Sequence, residues 1–315
     1  MSPAPALKPG QPVGKALLDV AAAILAEAQG VLDDRTRAPT LKVHDTRRAM
    51  KRWRAFLRMM EPFVGEGARQ LRIDGRELAR SLGAARDAQS AIDAFDDATK
   101  AGDAAEAADA AEEGEGVSRP PPLSAQSLKT IRKRLESLRD EGERSLWNDA
   151  VRAQIADYLA QARAQVAQWD LDAVRFDEFA DMLAKTYRRG RRAVPESWED
   201  ISPEELHELR RRVVEHRYQM ELIEPLWPRL GRIWVDEAQR LRTRLGRYQD
   251  LAVLGEKAAL RQPLAHWRAK LAPLIAERQD AHAKAARKVA ARLYAEPSKA
   301  FRRRLEALWE SQTDN

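Results

Sequence analysis

Apolar residues recur along most of this chain with the period of α-helices, and the segments so marked are separated by short stretches rich in Pro, Gly, Asp and Ser. Residues 1–12 are Pro-rich and read as loose. From Val13 to Asp34, Leu17, Val20, Ala21, Ile24, Ala28 and Val31 fall on one side of a helix. A second helix over 41–62 carries Val43, Thr46, Met50, Trp53, Leu57 and Met60 at alternating steps of three and four, an almost wholly apolar stripe that needs a partner. Pro62 and the glycines at 65 and 67 mark a turn, and a third helix is expected from about Ala68 to Phe95 with a kink at Gly83. Residues 97–122 are rich in Ala, Asp, Glu and Gly, end in three prolines, and read as a mobile acidic insertion. Ser124 or Ser127 starts a helix to about Trp147, and another covers about 149–169. Further helices are expected from Asp172 to Arg192, over 203–224 behind the start signal Ser202-Pro203-x-Glu205, and over 229–258. The last two are 264–294, kinked or broken at Pro273, and Ser298–Glu310. Nothing alternates with period two, so no sheet is expected.

The segment 41–62 returns in looser form at 204–225, with a constant offset of 163 that takes His44 to His207, Arg47 to Arg210, Arg54 to Arg217 and Glu61-Pro62 to Glu224-Pro225. The second stripe is Leu206, Leu209, Val213, His216, Met220 and Ile223. The offset continues through Leu78, Leu82, Gly83 and Asp87 to Leu241, Leu245, Gly246 and Asp250. Self-similarity of this kind implies two copies of one helical unit, 13–170 and 171–315. Matching Leu146-Trp147 to Leu293-Tyr294 lowers the offset to 147, as a sixteen-residue insertion within 97–122 would.

The formal charge of +6 is unevenly spread. Between 97 and 122, seven acids stand against Lys100 and Arg119, so the rest of the chain carries +11. Such an excess on a helical body calls for an anionic partner. Without cysteine the chain forms no disulfide and offers no thiolate to zinc. No apolar run approaches the length of a membrane span, and the N-terminus lacks a signal-peptide pattern, so a cytoplasmic protein is expected.

Opposite its apolar stripe, the helix at 41–62 stacks His44, Arg47, Lys51, Arg54 and Arg58 along one side, with Arg48 and Arg52 at the edge. On the second copy the corresponding group is His207, Arg210 and Arg217, with Arg211 beside them. Guanidinium forks at helical intervals suit a chain of phosphates, and an imidazole can add one more hydrogen bond. A solvated face serving solubility is the competing reading of one such helix, and recurrence on a second copy favours the anion site. His216 takes the place of Trp53 on the stripe and is assigned to packing, whereas His266 and His282 receive no role. Arg188 and Arg191, in a basic helix end, are further candidates against a purely structural interaction with the helix dipole. Lys129, Arg132 and Lys133 form another basic turn, and Arg302-Arg303-Arg304 reads as solvated surface. The near-match GQPVGKA falls short of a phosphate loop, no nucleophile elbow or H-E-x-x-H occurs, and no metal or cofactor site is expected.

The motifs V43-H44-x-x-R47 with K51-R52-x-R54, L206-H207-x-x-R210 with R217-Y218-x-x-E221, and L82-G83-x-x-R86-D87 with L245-G246-x-x-Q249-D250 resemble those of the CHAD domain family. Val214 and Arg48 depart from the family's pattern. The resemblance implies an all-α protein of two four-helix bundles related by a pseudo-twofold axis. It also implies a basic central groove or pore that binds inorganic polyphosphate without catalysis, and association with polyphosphate granules. The alternatives are a basic helical adaptor for nucleic acid and a polyphosphate-processing enzyme.

Overall fold

The computed structural model describes residues 6–81, 84–99, 123–144, 147–199 and 201–313. Among them are eleven α-helices, two 3-10 turns and no strand. In chain order the α-helices are α1 (Val13–Asp33), α2 (Pro39–Val64), α3 (Glu66–Ser81), α4 (Ala84–Thr99), α5 (Ala125–Arg144), α6 (Asp149–Val166), α7 (Phe176–Arg192), α8 (Pro203–Ile223), α9 (Pro228–Lys257), α10 (Arg268–Leu293) and α11 (Ser298–Thr313). No described helix is long and apolar enough to cross a membrane.

Local chemistry sets several ends. At α8, Ser202 Oγ accepts from the Glu205 N–H at 3.2 Å while Glu205 Oε2 accepts from the Ser202 N–H at 3.0 Å, a reciprocal cap. Ser124, of the two serines expected to start α5, accepts from the Ser127 N–H at 3.2 Å. The turn expected at Pro62 falls instead at Gly65, whose φ of +79° suits a residue without Cβ. Pro62 stays inside the last turn of α2. Pro273 likewise lies within an unbroken α10, and the break comes earlier, at the 3-10 turn Ala265–Trp267.

The stripes are buried as their period requires. Thr46, Met50, Trp53, Leu57 and Met60 of α2 are sealed from solvent, as are Leu206, Leu209, Val213, His216, Met220 and Ile223 of α8. Fully burying one such Leu or Met side chain contributes about 1.5–3 kcal/mol. Trp53 stacks on Phe56 and Trp169, and its Nε1–H donates to Tyr158 Oη, which donates to the Leu71 carbonyl, each at 2.8 Å. His216 packs as expected, edge-on to Tyr187 and beside Phe301 and Tyr294.

Around these stripes α1, α2, α3 and α6 pack together, and α7, α8, α9 and α11 do the same. α2 and α8 touch one another across the molecule. A second apolar cluster lies apart from the main core and draws Ile92 and Phe95 from α4, Ile131 and Leu135 from α5, Leu251 and Leu254 from α9, and Leu271 and Ile275 from α10. The division placed at 170/171 is therefore not a division between cores, because long helices from both sides of it supply this cluster.

Three other expectations are corrected. Leu7 is fully buried and donates its N–H to the Leu222 carbonyl at 2.8 Å, so the N-terminal segment from residue 6 is tied down. Asp97, assigned to the insertion, belongs to α4; residues 100–122 of that insertion lie outside the described residues. Arg304 is not solvated surface, since it pairs with Glu296 and stacks on Trp234 at 3.7 Å.

Candidate anion-binding groove

Burial of the two stripes turns the polar faces of α2 and α8 outward, and the contact between these helices sets the faces on either side of one groove. The groove consists of two adjoining cavities of about 400 and 260 Å³ that share Lys51, Arg210, Tyr218 and Arg242. The larger is walled by His44, Arg47, Arg48 and Lys51 of α2 and by Gln89, Ser90 and Asp93 of α4. Its floor is Arg242, Thr243, Gly246, Arg247 and Asp250 of α9. At Gly246 a Cβ would sit 3.4 Å from Arg210 Nη2, so the bare backbone leaves that guanidinium room against the floor. The smaller cavity adds Arg54 and Arg58 of α2, Arg72 of α3, and His207, Arg211 and Glu215 of α8.

Among the described residues, ten Arg and Lys side chains line the two cavities against three carboxylates, Asp93, Asp250 and Glu215. The crowding is measurable at individual groups. Burial, with Arg76, Arg58 and Arg72 nearby, holds the Arg54 guanidinium below its ordinary pKa. Burial also lowers Arg58, although Glu215, at 2.7 Å, acts in the opposite direction.

Several cations are aimed by neighbours. Arg47 Nη1 donates to the Ala79 carbonyl at 3.2 Å, which anchors it to the last turn of α3. Arg210 donates to Gln249 Oε1, and the Gln249 amide nitrogen lies 3.1 Å from His207 Nδ1. With Gln249 Nε2 as donor, the neutral His207 ring carries its hydrogen on Nε2, where it can serve a ligand.

A sequence profile of the CHAD domain matches residues 15–259, most of the chain. This chain belongs to the CHAD domain family. A solved CHAD domain from the plant Ricinus communis covers 96% of this chain and 95% of its own length, at 18% identity and a TM-score of 0.55, and so shares the fold. No curated protein matches the chain.

The CHAD fold brings together nine of the residues picked from sequence: His44, Arg47, Arg48, Lys51, Arg54, Arg58, His207, Arg210 and Arg211 all line the groove. Arg52 and Arg217 do not. Arg52 pairs with Glu27 at 2.5 Å and lies 3.6 Å from Glu221, Arg217 pairs with Glu221, and both lie against the Tyr218 ring. They form a bracket behind the groove, and Tyr218 itself lines both cavities. Arg188 and Arg191 sit on α7 outside the cavity linings, with Arg191 Nε donating to the Tyr294 carbonyl at 3.1 Å. Lys129, Arg132 and Lys133 of α5 also lie outside them, and Arg132 pairs with Asp96. Leu82 and Gly83 and the side chains of Arg86 and Asp87 lie outside the described residues.

Arg72, Arg242 and Arg247 escaped sequence reasoning. At the offset of 163, Arg242 and Arg247 correspond to Ala79 and Ala84, so a search for recurring cations passes over them. The available signal was proximity: both lie within four residues of Gly246 in a motif already in hand.

Proposed function

We propose that this CHAD chain binds linear inorganic polyphosphate in the groove between α2, α8 and α9, without catalysis. The observation that supports the reading is the convergence of ten cations and two histidines on contiguous cavities holding three carboxylates. Like charges held this close repel one another until an anion arrives, and a chain of phosphates offers an acceptor at each step along the helices. Nucleic acid is the poorer fit. Bases are held largely by stacking on aromatic rings, and Trp53 and Phe56 on the basic helix are turned into the core.

Titration with long-chain polyphosphate across a salt series, with duplex DNA as the matched control, tests the reading. Binding should fall steeply with salt as released counterions lose their advantage, and DNA should bind far more weakly. Changing Arg47, Lys51 and Arg54 together to Ala should weaken polyphosphate binding by roughly a hundredfold or more, since each charged hydrogen bond contributes about 1.5–3 kcal/mol. Equal binding to both polymers would reduce the groove to a generic positive surface. Phosphate release by metal-supplemented protein would overturn the non-catalytic part.

A further inference from the structure

The groove is not the same at its two ends. Its smaller cavity opposes seven cations to a single carboxylate, Glu215, among the described residues. At the far end the larger cavity adjoins a third, of about 340 Å³, and the two share Asp93 of α4 and Asp250 of α9. These carboxylates therefore stand at the junction. Beyond them the lining adds Asp96 and Asp97, with Arg247 and Arg278 as the cations. Both arginines are directed to Asp97: Arg278 Nη2 donates to Oδ1 at 2.9 Å and Arg247 Nη1 lies 3.7 Å from the same oxygen. His282 Nε2 meets the other oxygen at 2.6 Å. Asp96 is paired with Arg132.

An anionic chain laid along the groove is thus attracted as far as the junction and meets carboxylates there. The two kinds of phosphate on such a chain differ chemically. A terminal phosphate keeps a weakly acidic hydroxyl, with a second ionisation near pH 6 as in phosphate monoesters, and can donate it to a carboxylate. An internal phosphate is ionised and can only accept. Resting on the polyphosphate reading of the groove, we infer that it takes linear polyphosphate by its end, with Asp93 and Asp250 receiving the terminal phosphate and stopping the chain from threading through.

The proposal is tested by measuring how many protein molecules bind per chain on size-fractionated linear polyphosphates, each much longer than the roughly 21 Å that α2 spans from His44 to Arg58 at 1.5 Å per residue. End capture gives two proteins per chain at every length, and cyclic polyphosphate of matched phosphate number, having no ends, binds at least tenfold more weakly. Asp93 is exposed and accepts only from Gln89 of its own helix, at 2.8 Å, among the bonds identified, so Asp93→Asn keeps the fold. That variant, alone or with Asp250→Asn, should bind more proteins as chains lengthen and should gain affinity for the cyclic form. A parent protein whose stoichiometry rises with chain length, and which binds cyclic and linear forms alike, overturns end capture and leaves the groove reading standing. Absence of saturable binding to any polyphosphate removes the groove reading and this inference with it.

Discussion

Arg54 pays an electrostatic cost in the free protein, because a half-buried guanidinium beside Arg58, Arg72 and Arg76 is disfavoured in its charged form. Arg54→Ala should therefore leave the melting temperature unchanged or raised while lowering polyphosphate affinity roughly tenfold, the effect of losing about 1.5 kcal/mol of charged hydrogen bonding. Thermal melts and titrations of the same preparation check both halves. His216 is the opposite case, a titratable side chain with no part in the groove. Complete burial among Tyr187, Tyr294 and Phe301, with Arg304 nearby, pushes its pKa down to about 3. As pH falls from the ordinary value of 6.5 toward 3, the unfolded chain binds a proton that the folded protein refuses, so stability declines across that window. His216→Phe, a ring of similar shape without the proton, should flatten that limb of the curve in urea unfolding measured at several pH values.

At the scale of elements, the groove depends on how α2 is set against its neighbours. Gly65 is the whole connection between α2 and α3, and its φ of +79° with ψ of −140° lies where side chains are strained. Gly65→Ala should cost about 1–3 kcal/mol by denaturant unfolding. The turn had been expected at Pro62, since proline ends helices, but in a last turn its missing N–H disturbs little. The start of α8, by contrast, was legible to the residue. Ser202 and Glu205 satisfy each other's backbone N–H groups through contacts within three residues, and such contacts are written in the order of the chain.

At the scale of the whole molecule, the joint between Asp97 and His282 connects α4 to α10 across 185 residues. Burial alone would raise the Asp97 pKa, yet hydrogen bonds and charge from His282 and Arg278 outweigh it and hold it at about 2. The joint lies beside the apolar cluster to which α4, α5, α9 and α10 all contribute. Unfolding should accordingly be one cooperative transition, and His282→Ala should shift all of it, by about 3–5 kcal/mol, because it strands a buried carboxylate among its remaining partners. Calorimetry that resolved an early transition confined to one part would refute this coupling.

The amino-acid order by itself determined the helical class, most helix boundaries, the sealed stripes of α2 and α8, and the family, because each of these follows from periodicity or from contacts between residues a few positions apart. The cationic faces of α2 and α8 were legible for the same reason. Only the tertiary structure decided which cations share a cavity: Arg72, Arg242 and Arg247 join the groove and Arg52 and Arg217 turn to Glu221, as helices distant in sequence cross. It also decided where the carboxylates Asp93 and Asp250 stand in the groove and that Asp97 meets His282. A helix periodicity says which side chains share a face, but the electrostatic character of a cavity is the sum over faces brought together by packing, and no local pattern in the chain encodes that sum.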